Sequence, residues 1–136
     1  MFIVPKINWV RTDVFDLYPD YFRIKNNILE LQKLVSRLYK PFNNIKMKDY
    51  GIDDTGFADF YNNIERNIDV LVDNGFRNQK IAKSVTWGDN KATWSYHDLN
   101  RIEGSISIIY HDMMTQIKNQ YSINFILGGE DFEQTV

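Results

Sequence analysis

Residues 7–24 lie on residues 85–102 without a gap, and this internal match constrains the fold more than any other feature. Trp9 falls on Trp87, Tyr18 on Tyr96, Asp20 on Asp98, Arg23 on Arg101 and Ile24 on Ile102, while Ile7 meets Val85. A looser middle copy aligns Tyr61-Asn62-Asn63-Ile64-Glu65 with Leu99-Asn100-Arg101-Ile102-Glu103, and Ile68 with both Ile28 and Ile106. The repeat spans residues 7–40 and 85–119, with the middle copy at 55–74. Each unit reads as an extended, aromatic-bearing segment, a capping turn and a helix. One unit cannot bury its own apolar stripe, whereas several packed together can. Three loose copies point to a closed bundle rather than an open solenoid.

The helices follow from apolar spacing. From about residue 19 to 39, Tyr21, Ile24, Ile28, Leu31, Val35 and Leu38 step by three and four, the signature of one buried stripe. Pro19 suits a first helical turn, and Pro41 disfavours helical geometry at Lys40. A second helix runs from about 56 to 73 on Phe57, Tyr61, Ile64, Ile68 and Leu71, with Thr55 as cap and Asn74-Gly75 as a left-handed stop. A third runs from about 96 to 119 on Leu99, Ile102, Ile106, Ile109, Met113 and Ile117, with Ser95 and Asp98 forming a capping pair. Residues 82–87 and 91–94 flank Gly88-Asp89-Asn90 and read as a short hairpin. Tyr121 to Leu127 reads as one further strand, ended by Gly128-Gly129, and residues 130–136 as a frayed acidic tail. The expected fold class is mainly α: a three-helix bundle with a small β-hairpin and room for one C-terminal strand, in a single domain over residues 1–136.

Composition narrows the function classes. No run of residues approaches the ~18 apolar positions of a membrane span, and the first residues do not resemble a signal peptide. There are no cysteines, which removes disulfides and thiol chemistry. The net charge of −2 and scattered basic residues offer no stripe for nucleic acid. Asn, Ile, Lys, Tyr and Phe are abundant and Ala is rare, which reads as the codon bias of a low-GC genome.

Constellations with chemical potential are weak. Tyr96-His97-Asp98 recurs as Tyr110-His111-Asp112, but fourteen helical residues span ~21 Å, too far for one metal ion. Asp53, Asp54 and Asp59 cluster before the second helix without the alternating donors of a calcium loop. No phosphate loop, nucleophile elbow or zinc-protease motif is present. The expectation is therefore no catalytic residue, no cofactor and no metal. What remains is surface. Phe22 and Leu29 lie off the main stripe of the first helix, and Gly104 and Ile108 share the outer face of the third with His97, Arg101 and His111. A second stripe suggests cover by another copy or another protein. The tryptophans and Tyr18 and Tyr96 serve either as core plugs or as contact anchors. Candidate partner contacts are Trp9, Phe22, Leu29, Trp94, Asn100, Arg101, Ile108 and His111.

The segment Trp87-Gly88-Asp89-Asn90-Lys91-Ala92-Thr93-Trp94-Ser95-Tyr96-His97-Asp98-Leu99-Asn100-Arg101-Ile102-Glu103 resembles an element of tail-, baseplate- and fibre-associated structural proteins of phages and prophages of low-GC Gram-positive bacteria. Residues 6–25 resemble a diverged copy, lacking the Gly-Asp turn and carrying Phe22 and Lys25 where the element has Asn and Glu. The resemblance implies a non-enzymatic structural or adaptor subunit in the virion tail, present in several copies, bound to other phage structural proteins and held in the host cytoplasm during assembly. The alternative is a small phage-encoded protein that binds and inhibits or regulates a host protein. A cell-wall hydrolase would instead need Asp53, Asp54, Glu65 or Glu103 to converge in a cleft.

Overall fold

The computed structural model describes residues 1–47, 57–75, 78–88 and 94–128, with the backbone alone at 17, 57, 58 and 121–128. It is mainly helical. A π-helical turn, Leu17–Tyr21, runs into α1, Phe22–Leu38; α2 spans Phe57–Asn74 and α3 spans Tyr96–Gly128. Each helix packs against the other two.

All three helices run in the same direction. Near their starts, the Tyr21 ring stacks on Phe60 at 4.4 Å, and Arg23 reaches Glu103. Near their ends, Gly75 lies against Val35, and the Tyr39 hydroxyl donates to Gln116 Oε1. The connections, residues 39–56 and 75–95, are long enough to return the chain to the starting end each time.

The repeat appears as tiers of matched residues. The matched Ile24, Ile64 and Ile102 are all buried, and so are the matched Ile28, Ile68 and Ile106 one turn on. Leu31, Leu71 and Ile109 follow. The fourth tier, Val35, Gly75 and Met113, has a glycine for lack of room: a Cβ on Gly75 would stand 3.0 Å from the Leu71 carbonyl and 3.2 Å from Val35 Cγ1. The left-handed stop expected at Asn74-Gly75 is corrected on the glycine, whose φ lies outside that region. Gly75 N–H instead closes the end of α2 on the Val72 carbonyl at 3.3 Å.

Extended straps lie beside the helices. Strap 1 is residues 1–9, strap 2 residues 42–47 and strap 3 residues 78–88, the last opening on a turn in which Ile81 N–H donates to the Asn78 carbonyl at 3.0 Å. Each runs against the helix direction. Strap 3, for example, passes Asp112, then Asp69, then Asn62 as it goes from Asn78 through Ser84 to Trp87.

The start of α3 is the expected capping box. Ser95 N–H donates to Asp98 Oδ2 and Asp98 N–H to Ser95 Oγ. In the first unit the matched Asp20 accepts from the N–H of Asp16 at 2.8 Å, one residue further back. Leu17 stands where Ser95 stands and has no hydroxyl, and Pro19 has no N–H, so the extra residue is absorbed in the π turn.

One strand expectation changes. Residues 121–127 continue α3 rather than forming a strand. The β-branched and aromatic residues there suit either state, and no breaker precedes Gly128 to end a helix already running. Of the expected hairpin, Asp89 and Asn90 of the turn and residues 91–93 of the second arm lie outside the described residues, as do Asp53, Asp54, the cap Thr55 and the tail at 130–136. No strand is present among the described residues; the first arm, 82–87, is bonded to α2 side chains through Ser84 and Trp87.

Candidate interaction surface

The matched residues build two copies of one polar lock. In the first, Asn100 of α3 grips the backbone of Trp9: Trp9 N–H donates to Asn100 Oδ1 at 2.8 Å and Asn100 Nδ2 donates to the Trp9 carbonyl at 2.9 Å. The Trp9 indole Nε1 donates to Glu103 Oε2 at 2.8 Å. Arg23 of α1 clasps the same carboxylate with Nε and Nη2, both at 2.7 Å, and its Nη1 pairs with Asp20 at 3.1 Å. Lys6 N–H adds a fourth donor to Glu103.

The second lock repeats this between strap 3, α2 and α3. Trp87 N–H donates to Asn62 Oδ1 and Asn62 Nδ2 to the Trp87 carbonyl. The Trp87 indole donates to Glu65 Oε2, Arg101 clasps Glu65 through both terminal nitrogens at 2.7 Å, and Asp98 supports the arginine. Each strap thus docks on a neighbouring helix, and the arginine of its own unit closes the lock from the other side. Glu65 and Glu103 are 1% and 0% exposed. A buried carboxylate is tolerable only when paired and hydrogen-bonded, and both are. The carboxylates hold the Arg23 and Arg101 guanidinium groups above their ordinary values, through hydrogen bonds that outweigh the cost of burial.

Further asparagines grip straps in the same way. Asn27 brackets Ile3, receiving from its N–H and donating to its carbonyl, and Asn67 does the same to Ile45. Helix α1 carries Phe22 and Lys25 at the positions of the lock asparagine and glutamate, and α2 carries Asn63 at the position of the lock arginine. The groove between α1 and α2 is therefore built without that chemistry.

The eight candidate contacts separate into two groups. Trp9 and Trp94 are buried. Trp94 packs on Phe15, Phe60 and Tyr61, with its Nε1 lacking an acceptor. Asn100 and Arg101 are committed to the locks. Phe22, Leu29 and His111 are exposed and Ile108 is half-buried. Tyr18 stacks on Phe22 with ring centroids 6.0 Å apart. The structure adds an exposed apolar run along strap 1 and the turn after it: Ile3, Val4, Ile7, Val10 and Val14. His97 is exposed like His111, and among the described residues no three His, Asp or Glu side chains gather as a metal-binding group. No helix of the described residues is long and apolar enough to cross a membrane.

Sequence reasoning found the repeat but missed the purpose of Arg23, Asn62, Glu65 and Glu103. The signal was present: a Trp and an Arg repeat between the first and third units, and an Asn and a Glu repeat between the second and third. Comparison with protein-family models, curated proteins and solved structures finds no match for this chain.

Proposed function

We propose that this chain is a non-enzymatic structural or adaptor subunit of a phage or prophage tail, in the baseplate or fibre region, binding other virion proteins. The observation that carries the reading is the occupation of its two buried glutamates. Each accepts two guanidinium N–H groups, an indole N–H and a backbone N–H. A catalytic carboxylate needs a proton or a lone pair to exchange with substrate, and these spend theirs on holding straps to helices. The segment that resembles the tail proteins follows the same logic: Leu99 and Ile102 fill the core, Asn100 grips a strap, and Arg101 and Glu103 each complete a lock. The exposed Phe22, Leu29 and His111 and the apolar run on strap 1 are the surfaces offered to partners. A small hairpin across residues 82–94 and assembly in several copies belong to the same proposal.

Mass spectrometry of purified particles from the producing strain tests it. The polypeptide is expected in a fixed ratio to known tail proteins. Its absence from particles, together with recovery on a host protein, would replace this reading with the host-inhibitor alternative.

A further inference from the structure

Strap 3 docks on α2, the helix it directly follows, so chain connectivity holds it in place. Strap 1 docks on α3, a partner 91 to 97 residues further along the chain. The ring of helices and straps is thus closed by a contact that local connectivity does not enforce. We infer that the α1–α3 groove is a receptor for an extended tryptophan-bearing segment, and that residues 1–9 of a second copy of this chain can occupy it. Strap exchange would then join copies. The inference stands apart from the tail assignment, since it rests only on the locks.

Three observations carry it. First, the lock reads the strap itself: the groove bonds to the backbone of Ile3, Lys6 and Trp9 and to one indole N–H, all through side chains of α1 and α3. Second, the same Asn–Glu–Arg arrangement holds Trp87, whose tether differs in length and direction, so the lock does not depend on the linker. Third, an emptied groove would leave Glu103 and Arg23 short of donor and cover, so the groove favours being refilled over standing open. Exchange keeps every lock contact and changes only the hinge at residues 10–16. That hinge is one tight turn, with Val10 N–H on Asp13 Oδ2 and Asp13 N–H on the Val10 carbonyl, flanked by exposed Val10 and Val14. Exchange of an identical element through such a hinge is a low-cost route to oligomers. Intramolecular closure acts like a strap concentration in the millimolar range. Single chains are therefore favoured when dilute, and exchange when copies are concentrated or held side by side.

The chain has no cysteine, so single thiols report chain identity. The Phe2 ring stacks on Tyr110 with centroids 3.8 Å apart. Phe2→Cys and Tyr110→Cys proteins are prepared separately, mixed, warmed, cooled and treated with a short bis-maleimide. A two-chain product joining position 2 to position 110 is expected. It should rise from background near ~10 μM to a large fraction near ~1 mM, and adding Trp9→Ala to the Phe2→Cys chain should cut it at least tenfold. The Phe2→Cys/Tyr110→Cys double variant, cross-linked when dilute, should give a single-chain product and confirms reach. Light scattering on the unaltered full chain after the same treatment should show masses at whole multiples of the monomer. A cross-chain yield no higher than that of either variant alone, or a monomeric mass at every concentration, reserves the groove for the chain's own strap and overturns the proposal.

Discussion

At the residue scale, stability concentrates in side chains that look ordinary in the sequence. Glu103 is fully buried, and its partner Arg23 is partly buried. Removing one member of such a pair strands the other, at a cost of about 3–5 kcal/mol. Glu103→Gln and Glu65→Gln should each lower the unfolding free energy by that much, read as a fall in the denaturant midpoint at unchanged slope. The tryptophans divide by the same reasoning. Trp9→Phe deletes a donor to a buried carboxylate and should cost about 1–3 kcal/mol. Trp94→Phe deletes an indole N–H that has no acceptor and keeps an aromatic ring against Phe15, Phe60 and Tyr61, so it should cost less than about 1 kcal/mol. Equilibrium unfolding of the two variants side by side checks the contrast. The repeat matches Trp9 with Trp87 and leaves Trp94 opposite Asp16, so the sequence separates the two tryptophans but does not say which helix each one meets.

At the element scale, much was legible. The spacing of three and four placed the stripes of all three helices, and every stripe residue from Ile24 to Val35 at that spacing is buried. Ser95 and Asp98 marked the start of α3 because capping is a local interaction. The end of α3 was not legible, since Ile123, Phe125 and Ile126 favour a strand as readily as a helix and only continuity with the preceding turns decides. Gly104 within α3 and Gly75 at the end of α2 make opposite predictions. A Cβ at Gly104 meets nothing within 4 Å, so Gly104→Ala should stabilise α3 by about 0.5–1 kcal/mol. Gly75→Val forces a branched side chain against Val35 and the Leu71 carbonyl and should cost about 1–3 kcal/mol by overpacking. Thermal melts of the two variants should move in opposite directions.

At the scale of the whole molecule, the parallel arrangement was hidden because periodicity fixes which face of a helix is buried and not which way the helix points. Long connections gave the only hint, since antiparallel neighbours need short ones. The straps that fill those connections have no regular ladder, so neither period marked them. Strap 1 is pinned at both ends by carboxylates within reach of solvent, the exposed Asp13 and the half-buried Glu30, which makes its docking sensitive to acid. Hydrogen bonding from Val10 N–H, then Lys6, lowers the Asp13 pKa below its ordinary value. Lys33, then the Met1 amino group 3.3 Å away, does the same for Glu30. A carboxyl group with a depressed folded pKa contributes stability that is complete above its unfolded value and is lost as pH falls through the folded one. Strap 1 should therefore hold its ends unchanged from pH 7 down to about 5 and loosen below the ordinary carboxylate range, about pH 4. The amide signals of Ile3 and the indole N–H signal of Trp9, followed by NMR through that window, measure it. Asp13→Asn with Glu30→Gln should already show the loosened ends at neutral pH and flatten the profile. An acid response in the double variant equal to that of the natural chain would move the cause from these pins to the buried locks.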